Sequence, residues 1–327
     1  MTTTMTDSIA PPATPTVDDF EQHRRALTGY CYRMLGSGSE AEDAVQETML
    51  RAWRSADRFE GRSSISTWLY RIATNVCTDM GRSPQRRARP VDLGPARDPD
   101  PAHLTDVLVE GSWITPIPDA AVIAPDGDPA EVAAARESIR LAFVSSLQRL
   151  SSKQRAALVL CDVLRWSARD VAELLDTTTA SVNSALQRAR AELGTSAVAP
   201  VAVEPDDRRT VDRYVEAFER YDMDAIAALL HDDVVQTMPP YALWLQGRDD
   251  VIAWYSGPGI ECAGSRLLTG RANGCPAVAQ YRIDPSGGHT PWALQVLELR
   301  GDRIAAVHAF LDTGESFARF GFPDHLD

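Results

Sequence analysis

Two breaks in composition limit what this chain of 327 residues can fold into. Between Pro84 and Pro129 the sequence is rich in Pro, Gly and Asp and has little helical period, so we predict an acidic, Pro-rich linker over residues 90–127. A run of Ala, Val and Pro over residues 196–205 predicts a second, stiffer linker. Since neither run can continue a helix or a strand, the chain must fold as separate domains.

The segments between these breaks differ in hydrophobic period. Residues 18–89 and 128–195 have apolar residues at helical spacing, which predicts two all-α domains. Residues 206–327 begin with a helical pattern that breaks near Asp222 and continue as strands rich in Val, Ile and Leu, so we predict an α+β domain. Residues 1–17 lack the basic and apolar segments of a secretory signal, and we predict a disordered leader.

Capping patterns predict where several helices begin. Ser39-x-x-Glu42 is a capping box that predicts a helix start. Asp128 precedes a proline and predicts the N-cap of one helix with Ile139 and Leu147 on its inner face. A further capping box is expected from Ser151 to Gln154.

Residues 167–193 have the pattern of two short helices joined by a tight polar turn. Ser167 is expected to cap the first helix, which ends near Leu175, and Thr179 the second. Many proteins place the second helix of such a pair in the major groove of DNA, where polar side chains contact bases and arginines contact phosphates. The candidates are Thr179, Ser181, Asn183, Ser184, Gln187, Arg188 and Arg190. A solvated helical hairpin is the alternative that the pattern leaves open.

Two upstream segments, together with this helix-turn-helix, resemble a known family. Residues 43–54 (DAVQETMLRAWR) and 66–75 (STWLYRIATN) resemble region 2 of an extracytoplasmic-function (ECF, group IV) sigma factor of bacterial RNA polymerase, and residues 167–193 resemble region 4. The resemblance implies that region 2 (18–89) binds core polymerase and the −10 promoter element, while region 4 (128–195) binds the −35 element.

The same resemblance assigns roles to single residues. Asp43, Gln46 and Glu47 resemble the surface that grips the clamp helices of the largest polymerase subunit. A loop that captures a flipped base, and the helix after it, are assigned to the −10 element through Phe59, Arg62, Ser64, Arg71, Asn75, Asp79 and Arg82. Trp53 and Trp68 fall on inward helical positions, so we predict core packing for both rather than base stacking.

The linker departs from the family pattern, in which a short flexible connector is usual. The stretch rich in Pro, Gly and Asp, from Pro84 to Pro129, is about forty-five residues long and contains an apolar segment, WITPIP, at positions 113–118. Apolar stretches of this kind are seldom left in water. We expect Trp113, Ile114 and Pro116 to dock on the protein's own domains or in the RNA-exit path of the polymerase; a poorly ordered loop is the alternative.

The C-terminal domain resembles the SnoaL-like (ketosteroid-isomerase-type) cone fold, through residues 232–241, Trp244, Gly247-Arg248 and 310–312. The resemblance implies a regulatory domain that contacts the sigma domains. A small-molecule pocket is the second role considered, lined by Met238, Tyr241, Trp244, Trp254, Trp292 and His308. An enzyme would need an acid–base pair. Because no spacing singles one out, we predict no enzymatic activity.

The net charge of −13 does not exclude DNA as a partner. Residues 1–95 and 136–194 have net charges of 0 and +3, so the acidity lies in the linker and the C-terminal domain. Core RNA polymerase and promoter DNA, which the resemblance implies, are the expected partners. Five scattered cysteines and no apolar run of ~18 residues predict a cytoplasmic protein without disulfides, metal, cofactor or membrane span. The alternatives are a ligand-sensing helix-turn-helix regulator and a cone-fold enzyme tethered to a DNA-binding arm.

Overall fold

The computed structural model describes residues 15–61, 63–81, 87–194, 207–311 and 316–327. The expected leader (except for its last three residues), the expected second linker, and Arg62 and Arg82 of the −10 set lie outside these ranges. Region 2 is a bundle of four helices, namely α1 (Val17–Glu21), α2 (Arg24–Leu35), α3 (Gly38–Arg54) and α4 (Ile65–Met80).

Local capping explains how these helices begin. The hydroxyl of Ser37 accepts a hydrogen bond from the Glu40 amide at 3.4 Å, so α3 begins two residues before the expected Ser39 cap, and that prediction is wrong. Ser64 caps α4 by accepting from the Thr67 amide at 3.1 Å. Apolar faces of α2, α3 and α4 then meet in one core.

The linker lies against the rest of the chain and includes two 3-10 helices (Pro90–Asp92 and Pro101–Thr105) and one short α-helix, α5 (Asp119–Val122). Region 4 follows as α6 (Pro129–Glu137), α7 (Leu141–Gln148), α8 (Ser152–Leu158), a π-helical turn (Val159–Val163), α9 (Ala168–Leu174) and α10 (Thr179–Gly194).

The caps expected at Asp128, Ser151 and Ser167 are confirmed. The single helix expected after Asp128 is wrong, because the backbone becomes extended at Arg140 and separates α6 from α7. Thr178, not Thr179, caps α10 through the Ser181 amide at 3.1 Å.

The C-terminal domain is a six-stranded sheet with α-helices packed on it, so the expected fold class is confirmed. Its elements are α11 (Asp207–Glu219), α12 (Met223–Leu229), β1 (Leu230–Thr237), β2 (Trp244–Gln246), α13 (Arg248–Ser256), β3 (Arg266–Ala272), β4 (Cys275–Ile283), β5 (His289–Arg300), β6 (Arg303–Phe310) and α14 (Ser316–Arg319). The strand order is β2-β1-β6-β5-β4-β3, in which only the β1–β6 pair is parallel. Asp222 caps α12, which explains the expected break.

The two faces of this sheet belong to different apolar cores. One face, with Leu297 and Val307, packs under α11, α12 and α13. The other face, with Ala277 and Val296, belongs to the same buried cluster as Ile117 of the linker and the apolar residues of regions 2 and 4. The C-terminal domain is therefore joined to the sigma domains through a continuous apolar core. Among the described residues, no helix combines the length and the apolar character needed to cross a membrane.

Candidate nucleic-acid interface

The outer face of α3 presents the residues expected to bind core polymerase. Asp43 and Gln46 are exposed, and Glu47 is half-buried. The same stripe continues with Leu50 and Trp53, because residues three and four apart share a helix face. Trp53 is 63% exposed, so the prediction that it packs in the core is wrong. Its spacing of seven residues from Gln46, about two helical turns, is the sequence signal that places it on this surface.

The loop before α4 forms a small cavity where a flipped base is expected to bind. The rings of Phe59 and Trp68 lie 5.2 Å apart, and Trp68 also contacts the Phe20 ring at 6.0 Å. The cavity holds about 400 Å³ and is lined by Arg58, Phe59, Glu60, Gly61, Ser63, Trp68, Arg71 and Glu173. Trp68, which the sequence predicts to pack in the core, is half-buried and borders both the cavity and the helical bundle.

The exposed side of α4 carries the remaining −10 candidates. Arg71 donates to the Glu173 carbonyl of region 4 at 3.0 Å. Asn75 is exposed and lines a second cavity, of about 600 Å³, between α4 and region 4. Asp79 lies 3.7 Å from the guanidinium of Arg51. The structure thus brings Phe59, Arg71 and Asn75 to one side of the bundle, whereas Ser64 serves as a helix cap.

The second helix of the helix-turn-helix, α10, exposes all seven −35 candidates. Its other face buries Val182 and Ala189 against region 4. Arg188 donates to Ser184 one turn earlier at 2.8 Å. Arg190 forms a two-point ion pair with Asp162 on the π-helical turn, at 2.7 and 2.9 Å. Sequence reasoning missed Asp162, because a partner 28 residues away on another helix leaves no local signal.

The apolar segment of the linker is buried against region 2. Trp113, Ile114 and Pro116 are all buried. Between them, the Thr115 amide donates to the Gly36 carbonyl at 3.1 Å, and the Thr115 hydroxyl accepts from the Gly38 amide at 3.0 Å. The segment therefore occupies the α2–α3 junction of the chain itself.

A hairpin tip of the C-terminal domain reaches the junction of region 2, the linker and region 4. Asn273, fully buried between β3 and β4, donates through Nδ2 to the Tyr32 hydroxyl at 2.6 Å and to the Ile139 carbonyl at 2.7 Å. Its Oδ1 accepts from the Ile117 amide at 3.0 Å, and its own amide donates to the Ile117 carbonyl at 3.1 Å. One side chain thus links three parts of the chain.

Two ion pairs strengthen this contact between domains. The carboxylate of Asp119 on α5 accepts from the Gly274 amide at 2.7 Å and from Arg271 at 3.2 Å. Burial raises the pKa of Asp119, and these donors oppose the rise. Farther along the chain, Arg319 on α14 pairs with Glu42 on α3 at 3.0 Å, next to the stripe expected to bind core polymerase.

The six residues expected to line a ligand pocket each have another environment. The Trp244 indole donates to the Gly94 carbonyl of the linker at 2.9 Å, and Tyr241 pairs with the linker at Val107. Trp254 and Met238 are core residues, while Trp292 is 37% exposed and holds Arg282 over its ring at 4.1 Å. The cavities described above are lined by other residues.

Four buried polar residues of this domain form a chain of hydrogen bonds. Tyr214 donates to Gln295 at 2.7 Å, Gln295 to Gln280 at 2.8 Å, and Gln280 to Ser265 at 3.0 Å. On the other face of the sheet, His308 contacts Thr237 at 3.0 Å and the carboxylate of Glu298 at 3.2 Å.

Glu298 is the strongly perturbed carboxylate of this cluster. Burial acts to raise its pKa. The hydrogen bond from His308, with the nearby charges of His308, Arg89 and Arg140, outweighs burial and lowers the pKa to about 2. Because Arg89 is the last residue of region 2 and Arg140 belongs to region 4, this carboxylate interacts electrostatically with the sigma part of the chain.

A helical bundle with an aromatic-lined cavity, a helix-turn-helix and a cone-type sheet domain, in this order, define a sigma-type transcription factor with a C-terminal extension. Family models match in the same order: Sigma-70 region 2 over residues 20–87, Sigma-70 region 4 over 140–193 and a SnoaL-like domain over 211–307.

Individual relatives agree over nearly the whole chain. The chain is 43% identical to the ECF RNA polymerase sigma factor SigG of Mycobacterium tuberculosis, over 96% of this chain and 87% of SigG. It is 30% identical to SigJ of the same organism, over 81% and 84% of the two chains. The crystal structure of Mycobacterium tuberculosis SigJ matches with a TM-score of 0.59, over 94% of this chain and all of SigJ, at 23% identity, which shows the shared fold. The protein belongs to the ECF RNA polymerase sigma factors.

Proposed function

We propose that this sigma factor binds core polymerase through the stripe Asp43, Gln46, Glu47, Leu50 and Trp53. In this proposal the cavity beside Phe59 and the outer side of α4 read the −10 element, and the exposed side of α10 reads the −35 element. The exposure of the stripe and of α10, and the size and aromatic lining of the cavity, support these assignments.

The C-terminal domain, we further propose, restrains the two promoter-reading domains in the free chain. The observation that carries this proposal is the buried Asn273 side chain, which bonds to α2, to the linker and to the residue before α7. A domain that holds both regions at one point can control whether they separate.

The spacing of promoter elements gives the sign of this control. Elements about 25 base pairs apart are separated by roughly 85 Å along a duplex, at ~3.4 Å per base pair. In the free chain, Arg71 of region 2 contacts region 4 directly. The two regions must therefore separate before both can bind one promoter, so the bonds that hold them together oppose promoter binding.

We propose a structural role for His308 and Glu298 rather than a catalytic one. Their carboxylate–imidazole pair faces Arg89 and Arg140 of the sigma part, where it supports the contact between domains. The bonded chain from Tyr214 to Ser265 likewise satisfies its own polar groups.

A run-off transcription assay with sigma-free core polymerase tests the proposed function. The full chain is expected to start transcription at specific promoters selected from genomic fragments, and Asp43→Arg to abolish initiation without lowering thermal stability. A chain that folds but starts no specific transcript with core polymerase would contradict the proposal. Point variants are preferable to removal of residues 206–327, because removal would uncover the apolar surface around Ile117 and Ile139.

A further inference from the structure

The two arginines expected to contact the −35 element have different surroundings on α10. Residues two positions apart on a helix point about 200° apart, so Arg188 and Arg190 lie on opposite sides of it. Arg188 donates to Ser184 on its own helix at 2.8 Å. Arg190 points toward the π-helical turn, where Asp162 binds it. Its guanidinium is therefore held by a residue from outside α10.

The π-helical turn places the Asp162 carboxylate against α10. The turn is closed by the Leu164 amide, which donates to the Val159 carbonyl five residues earlier at 2.9 Å. Turns of this kind are rare and often occur at functional sites. Asp162 is half-buried there, and its two oxygens accept from Nε and Nη2 of Arg190 at 2.9 and 2.7 Å. A two-point contact fixes the plane of the guanidinium as well as its position.

This ion pair uses one edge of the guanidinium and leaves another edge available. Arginine has five N–H donors, of which Asp162 takes one on Nε and one on Nη2. The Nη1–Nη2 edge keeps the other three, and the Arg190 side chain is 61% exposed. Such an edge is a fork that matches two oxygens of a phosphate. Arg190 can therefore bind Asp162 and a DNA phosphate at the same time.

We propose that Asp162 is a positioning residue for promoter binding, whose carboxylate holds the Nη1–Nη2 edge of Arg190 toward a phosphate of the −35 duplex. This inference rests on the proposed function, in which α10 reads the −35 element. Fixing a long side chain before binding lowers the entropy cost of the phosphate contact. The negative charge of Asp162 itself repels DNA, so the direction in which affinity changes without this charge shows which effect is larger.

Holoenzyme assembled from core polymerase and the full chain tests this role. The probe is a fluorescein-labelled promoter duplex recovered in the run-off assay, and its anisotropy gives the dissociation constant at a series of KCl concentrations. Arg190→Ala is expected to weaken binding about tenfold and to lower the salt slope by about 1, because one phosphate contact is lost.

Asp162→Asn separates the position of the guanidinium from its charge. We expect binding to weaken about three- to tenfold, the size of the cost of ordering one side chain, at an unchanged salt slope because Arg190 keeps its charge. Binding by Asp162→Asn that equals or exceeds that of the native chain overturns the proposal.

Glu192→Gln is the matched control for the loss of a negative charge. Glu192 lies on α10 two residues after Arg190 and pairs with Arg149 at 3.2 Å. Because this variant removes the same charge without touching Arg190, it is expected to bind like the native chain or slightly more tightly. A loss as large as that of Asp162→Asn would show that any acidic group of this surface has the same effect, and the proposal would be overturned.

Two further variants separate positioning from support of the fold. Asp162→Glu keeps a carboxylate that can accept both bonds, so it is expected to bind within about twofold of the native chain. A loss equal to that of Asp162→Asn overturns the role of the carboxylate. In an Arg190→Ala background, Asp162→Asn should cause no further loss. A loss that persists there means that Asp162 supports region 4 itself, and the positioning role falls.

Failure of the proposed function has a different signature. If Arg190→Ala alone binds the promoter with native affinity and native salt slope, Arg190 makes no phosphate contact. Its −35 assignment is then wrong, and the role of Asp162 falls with it. The outcomes that overturn Asp162 alone leave the loss with Arg190→Ala in place, so the −35 assignment stands in those cases.

Discussion

Replacement of Asn273 by glycine tests the contact between the C-terminal domain and the sigma domains most directly. Asn273 has a φ of +55°, a left-handed conformation that glycine adopts without strain, so the hairpin turn itself should persist. The change removes only the side chain and its three hydrogen bonds to Tyr32, Ile117 and Ile139.

The size of the effect follows from the burial of these bonds. An intramolecular hydrogen bond contributes about 0.5–1.5 kcal/mol net, and a buried group left without its partner costs about 1–3 kcal/mol. Three buried groups each lose a hydrogen bond: the Ile117 amide, the Tyr32 hydroxyl and the Ile139 carbonyl. We therefore expect the variant to destabilise the contact between domains by about 3 kcal/mol in total. That corresponds to a shift of roughly 150-fold toward the open form.

Two measurements report this shift. Amide hydrogen exchange, followed by mass spectrometry, should accelerate in peptides covering residues 113–118 and 139, while peptides from the core of β4 and β5 keep their protection. Run-off transcription by Asn273→Gly at limiting concentration should rise severalfold, because less free energy is needed to separate regions 2 and 4.

A matched control is available in the same domain. Asp302 lies in the exposed β5–β6 turn, so Asp302→Gly changes a hairpin turn without touching the sigma domains. If Asn273→Gly has the same amide exchange rates, melting temperature and run-off transcription as Asp302→Gly, the restraining role of the Asn273 side chain is refuted.

Three further predictions follow from other contacts. Because the pKa of Glu298 is lowered in the folded protein, its ionised carboxylate contributes up to about 3 kcal/mol to the free energy of unfolding above pH ~4.5, and this contribution is lost as the pH falls toward 2. The free energy of unfolding of Glu298→Gln should therefore fall less with acid than that of the native chain. A Cβ at Gly38 would lie 2.4 Å from the Pro116 carbonyl, so Gly38→Ala should expose the linker to protease, whereas Gly94→Ala, with open space around it, should not. Trp53→Ala should weaken core-polymerase binding severalfold at unchanged thermal stability.

Each of these has a contradicting outcome. If urea titrations at several pH values show that the free energy of unfolding falls equally with acid for the native chain and for Glu298→Gln, the electrostatic role of Glu298 is contradicted. Equal cleavage of the two glycine variants by trypsin would show that the linker tolerates the added methyl group. A melting temperature lowered by several degrees in Trp53→Ala would indicate that its ring supports the bundle.

Local sequence patterns predicted the parts of the fold that depend on near neighbours. The sequence predicted the caps at Asp128, Ser151 and Ser167 and the break near Asp222, because each capping side chain bonds to an amide two to three residues away. The order of helical and strand-rich segments gave the fold class for the same reason. The Ser39 cap failed because Ser37, two residues earlier, competes for the same role with equal chemistry.

Contacts between distant segments could not be predicted in this way. The helical period alone put Trp53 inside, whereas the tertiary arrangement of α2 and α4 covers other faces of α3 and leaves that ring in solvent. The aromatic residues grouped as one pocket lie in different environments, because Trp244 faces the linker and Trp292 pairs with Arg282.

The sequence by itself determined the order of helical and strand-rich domains in this sigma factor and which residues are candidates for contact with polymerase and DNA, since periodicity, caps and motifs act over a few residues. Only the tertiary structure decided that those surfaces are partly covered in the free chain. Asn273 and Tyr32 are 241 positions apart, and Arg71 and Glu173 are 102 apart. Packing of the sheet on the linker brings the first pair together, and packing of α9 on α4 the second. No local pattern encodes either distance.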